Sequence, residues 1–70
     1  MEVDQVLTKQ YQGKEYVDGQ RVITVSHVNR IDGPNGSYLT VFYNADEPEI
    51  GRTGQGSCFL DYLQGLPEVR

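Results

Sequence analysis

The stretch GKEYVDGQRVITVSHVN, residues 13–29, decides the fold. Asp18-Gly19 lies between Tyr16-Val17 and Val22-Ile23. An Asp-Gly pair between apolar β-formers signals a two-residue hairpin, because a type I′ turn needs φ > 0 at both central positions. A short strand, 14–17, is therefore expected to pair with a longer one, 21–29. The longer strand is rich in β-branched residues, which suit a pleated surface. Strict alternation puts Ile23, Val25 and His27 on one face and Val22, Thr24, Ser26 and Val28 on the other. Ile23 and Val25 are the expected core.

Downstream, RIDGPNGSY (30–38) holds two adjacent turn signals, Asp32-Gly33 and Asn35-Gly36, around Pro34. Residues 30–36 read as the connector and SYLTVFYN, 37–44, as a third strand. Leu39, Val41 and Tyr43 share one of its faces; Tyr38, Thr40 and Phe42 share the other. Both are apolar enough to be partly covered, which marks a central strand. The pattern then stops. NADEPEIGRTGQG, 44–56, is acidic and glycine-rich and reads as one long irregular loop, a class of segment that tends to be functional or mobile.

The flanks carry helical signals. In EVDQVLTKQYQ, 2–12, the residues Val3, Val6, Leu7, Gln10 and Tyr11 fall on a helical stripe, and Gly13 follows as a terminator. A short edge strand is the rival reading. In SCFLDYLQG, 57–65, Ser57 is a candidate cap and Phe59, Leu60 and Leu63 form an apolar stripe that Gly65 and Pro67 end. A brief strand from Thr53 to Phe59 running into a helical turn fits equally well. The sum is a mainly β domain over 1–70: an antiparallel meander of three to four strands, curled into a partly open barrel, with short helical segments at both ends. This order of hairpin, long strand, strand, glycine-rich loop and F-L-x-x-L turn loosely resembles the small SH3-like barrels of bacteria and phages, over about residues 13–66. The resemblance implies a binding module and transfers no functional residue.

Composition narrows the function. Seventy residues bury only about 60% of their unfolded surface. With Cys58 as the lone cysteine, no internal disulfide adds stability, and self-association is a natural supplement. Ten acidic against six scattered basic residues give a net charge of −4, which argues against nucleic acid and anionic membrane as partners. The acidic start, MEVDQVLTKQ, does not read as a signal peptide. No stretch has the ~20 apolar residues of a membrane span. Cytoplasm is the expected compartment.

Candidate chemistry is sparse. His27 is the one histidine and lacks an obvious nucleophile or orienting carboxylate, since Ser26 falls on the opposite strand face. Cys58 would gain a lowered thiol pKa only in the first turn of a helix; a small buried hydrophobe is the simpler reading. GRTGQGS lacks the Lys-Ser/Thr of a phosphate loop. Asp46, Glu47 and Glu49 lack the alternating order of a calcium loop. Asn35-Gly36-Ser37 matches a glycosylation triplet that turn chemistry already explains. No catalytic residue, metal ligand or cofactor is therefore expected. The expected binding residues are Tyr38 and Phe42, an aromatic pair on one strand face, with Asp46, Glu47 and Arg52 in the acidic loop. The expected function is non-enzymatic: a protein-interaction module that binds a protein partner or itself, in a small accessory or regulatory protein of a bacterium or mobile element. The alternatives are a small-molecule site or minimal enzyme formed between subunits of a homo-oligomer, and an acidic inhibitor that fills a nucleic-acid-binding groove.

Overall fold

A computed structural model describes residues 2–69. In chain order the elements are β1 (Glu2–Val3), α1 (Gln5–Tyr11), β2 (Glu15–Asp18), β3 (Arg21–Gly33), β4 (Gly36–Glu47), β5 (Arg52–Phe59) and α2 (Leu60–Gln64). All strands pair antiparallel in one sheet of order β1-β3-β4-β5, with β2 beside β3 on the edge away from β4. The sheet stays open, because neither β1 nor β2 meets β5.

The first hairpin forms where the sequence placed it, but one residue later. Asp18 pairs with Arg21, so the turn residues are Gly19 and Gln20. Gly19 alone takes positive φ (66°), the pattern of a type II′ rather than a type I′ turn. The expected connector at 30–36 shrinks to Pro34-Asn35, and β3 runs on to Gly33. Asp32 stays in the ladder opposite Ser37, whose hydroxyl donates to its carboxylate at 2.6 Å.

The expected long loop at 44–56 is instead a third hairpin. β4 continues to Glu47, a turn at Pro48–Gly51 follows, and β5 returns along β4 from Arg52. Gly51 supplies the left-handed turn position, at φ 63°. The strand reading of 53–59 thus holds, and Ser57 caps no helix; Phe59 occupies that position without a side-chain bond. The N-terminal stretch combines both of its readings. Glu2 and Val3 pair with Arg30 and Asn29, and the helix then starts at Asp4, whose carboxylate accepts from the Leu7 N–H at 3.0 Å.

Alternation fails once, at a β-bulge. Val25 opposes Tyr43 and His27 opposes Phe42, so Ser26 is the extra residue. Everything after it changes face: His27 leaves the side of Ile23 and Val25, and Val28 joins it, fully buried against the opposing Val41.

All core packing is on that one face. Tyr16, Ile23, Val25, Val28, Val41 and Tyr43 are covered by Leu60 and Leu63 of α2, with Leu7 and Tyr11 of α1 alongside. Val6, expected in the helical stripe, is 76% exposed. Tyr43 also lies over Gly56 of β5, where a Cβ would come within 2.9 Å of its ring. The small residue is needed for that close approach. The molecule is elongated, 41 × 21 × 19 Å, along the β3–β4 hairpin.

Candidate functional site

Both helices lie on the core face, so the opposite face of the sheet has no helix against it. Its side chains follow from register. After the bulge, β3 presents His27, Asn29 and Ile31; β4 presents Phe42, Thr40 and Tyr38; β5 adds Ser57 and Phe59, and β1 adds Val3. Tyr38 is 47% and Phe59 60% exposed. Their rings pack tilted at 6.1 Å, and the His27 and Phe42 rings stack at 4.9 Å with 11° between planes. The sequence singled out Tyr38 and Phe42. Phe59 and His27 are not legible as part of this face, because Phe59 fits a helix stripe as well as a strand and strict alternation puts His27 with Ile23 and Val25.

Between these two ring pairs sit Asn29 and Thr40, directly opposed across the ladder and each 8% exposed. Asn29 Oδ1 and Thr40 Oγ1 are buried and have no hydrogen-bond partner among the described residues. Buried polar atoms without partners cost roughly 1–3 kcal/mol each. A polar pair ringed by aromatic side chains is thus left with unused acceptor capacity.

At one end of this face, Ser37, Tyr38, Leu39, Phe59, Asp61 and Tyr62 border an open cleft of about 520 Å³. Tyr62 also donates from its hydroxyl to Asp18 Oδ1 at 3.0 Å. Asp18 holds Arg21 through Nη2 at 2.8 Å, and Arg21 reaches the Tyr43 hydroxyl at 3.3 Å. Hydrogen bonds from Arg21 and then Tyr62 lower the Asp18 pKa below its ordinary 3.8, against the effect of burial. The same bond to Asp18 raises the Tyr62 pKa.

No known protein family, curated protein or solved structure matches the chain. The site must therefore be read from its own geometry.

The five expected binding residues do not form one patch. Tyr38 and Phe42 lie on the uncovered face. Asp46 shares that face, near the β4–β5 turn, and Glu47 and Arg52 oppose each other on the other side of the sheet. Eight strand steps of ~3.3 Å separate Tyr38 from Asp46 by about 26 Å.

Two further candidates resolve structurally. The bulge brings Ser26 Oγ within 3.1 Å of His27 Nδ1, a contact that strict alternation had excluded. His27 makes no hydrogen bond to a carboxylate among the described residues. Cys58 lies in β5 opposite Val41, not in a helix, and burial raises its thiol pKa, the reverse of activation. Among the described residues no group of three His, Cys, Asp or Glu side chains could hold a metal, and no helix is long and apolar enough to cross a membrane.

Proposed function

We propose that this chain is a non-enzymatic protein-interaction module whose docking surface is the helix-free face of the sheet, centred on Tyr38 and Phe42. It fits a small cytoplasmic accessory or regulatory protein of a bacterium or mobile element. The observation that carries the reading is the combination on that face: exposed aromatic rings around the orphaned acceptors of Asn29 and Thr40. Contiguous exposed aromatic surface marks interaction sites, and tyrosine and phenylalanine are enriched there. A partner whose docking displaces the surrounding side chains would reach two buried oxygens that have no hydrogen-bond partner among the described residues. The likeness to small SH3-like binding domains points the same way.

The test is the double substitution Tyr38→Ala plus Phe42→Ala, followed by light scattering and pull-down. Association through this face, read as partner capture, should be lost while near-ultraviolet circular dichroism keeps its native form. Phe42 is partly buried under His27, so Tyr38→Ala alone provides a second variant that loses only the contact with Phe59 and leaves the core intact. Unchanged partner binding and oligomeric state in both variants would overturn the proposal.

A further inference from the structure

The chain protects one side of its sheet and leaves the other open. On the outer side of β2, the Val17 N–H donates to the Pro67 carbonyl at 2.9 Å and the Val69 N–H donates to the Glu15 carbonyl at 2.8 Å. Glu68 thereby bridges Tyr16. β5 has β4 on one side and, among the described residues, no backbone hydrogen bond on the other. Half of the N–H and C=O groups of its eight residues therefore point outward unpaired. Strand edges are usually blunted by prolines, lysines or inward charges. RTGQGSCF contains no proline, lysine or carboxylate, and its single charge is Arg52 at the start.

We propose that β5 pairs antiparallel with β5 of a second copy, about a two-fold axis near Gly56, making one continuous sheet through two chains. A two-fold contact has to be self-complementary, and this edge is. Arg52 opens the strand, and Asp61 stands just past its end in the first turn of α2. Neither belongs to an ion pair among the described residues. Antiparallel pairing lays Arg52 of each copy near Asp61 of the other. The net charge of −4 makes two copies repel on average; the carboxylate-free strand is where they approach with least repulsion. This contact uses the edge and not the Tyr38/Phe42 face, so it goes beyond the proposed function, and the two readings fail separately.

Sedimentation equilibrium of the full chain tests it. At about 100 µM the expected species is a dimer, twice the 7.9 kDa chain mass. Arg52→Glu and Asp61→Arg should each weaken the dimer roughly tenfold, since each turns two attractions into repulsions. The combined R52E/D61R protein should recover wild-type dimerisation. Within one chain the two positions are about 26 Å apart along the strand, too far for one to compensate the other, so recovery reports contact between copies. A monomeric wild type, or single variants that dimerise normally, or a double variant no tighter than the singles, overturns the proposal. So does a dimer that Tyr38→Ala dissociates while the charge variants leave it intact, because the second copy then sits on the aromatic face. Native circular dichroism of each single variant excludes misfolding as the cause of its weakening.

Discussion

Asp18 joins three elements through a single carboxylate: it ends β2, holds Arg21 at the start of β3, and accepts from Tyr62 of α2. The depressed pKa makes this a pH-dependent contribution. A carboxylate whose folded pKa lies below its unfolded value stabilises the fold above the unfolded pKa. That stability is present above about pH 4 and is lost as pH falls through the folded value. Asp18→Asn should therefore lower stability at pH 7 by about 1–2 kcal/mol. It should also flatten the stability profile below pH 4. Urea unfolding at a series of pH values measures both. A variant whose acid-side slope equals the wild type's would show that Asp18 titrates normally. The sequence pointed to Asp18 for its place beside a turn glycine. Its partners, 3 and 44 residues away, are set by packing that no local pattern encodes.

At the scale of elements, the question is how β3 keeps its ladder between β2 and β1. β2 pairs with it up to Thr24, and β1 resumes at Asn29. Gly13 and Lys14 bond the backbone of Val25, and helix α1 fills the rest of the gap. The Thr8 hydroxyl accepts from the Val28 N–H at 2.9 Å and donates to the Val28 carbonyl at 3.3 Å, which also accepts from the Asp4 N–H. One side chain thus stands in for a missing strand residue beside the bulge. Thr8→Val keeps the shape and removes that partner, leaving the Val28 N–H unsatisfied; a loss of about 1–3 kcal/mol is expected. Amide exchange at Val28 should accelerate, and unchanged exchange there would show that another group satisfies it. These features also explain what was legible in the chain. Ile23 and Val25 read as core because alternation is clean up to Val25. A bulge leaves no sequence mark here, so His27 and Val28 were assigned to the wrong faces. The strand over 53–59 is only one of two equal readings, beside a loop to 56 and a helix from 57, because RTGQGSCF lacks an apolar alternation: as an edge strand it draws its order from backbone bonds to β4, and Tyr43 covers Gly56 where a side chain would otherwise stand.

Among the described residues the molecule is a sheet with its core on one face, no helix on the other, and β5 as an edge with no strand beyond it. That asymmetry follows from the helices: α1 and α2 carry apolar residues toward the same side of the sheet. At the centre of the second face two buried oxygens have no partner among the described residues, an arrangement that costs stability. Thr40→Val tests whether stability has been given up there. Valine matches threonine in shape and in β preference, so the change removes the orphaned hydroxyl and little else. If Thr40 Oγ1 has no donor in the isolated chain, the variant should be more stable by about 1 kcal/mol in urea unfolding. The same variant should bind a partner on this face less well, because a hydrogen-bonding group at its centre is gone. A destabilised Thr40→Val protein would mean that the hydroxyl already has a donor, and the polar centre of the face would then be part of the fold rather than a vacancy for a partner.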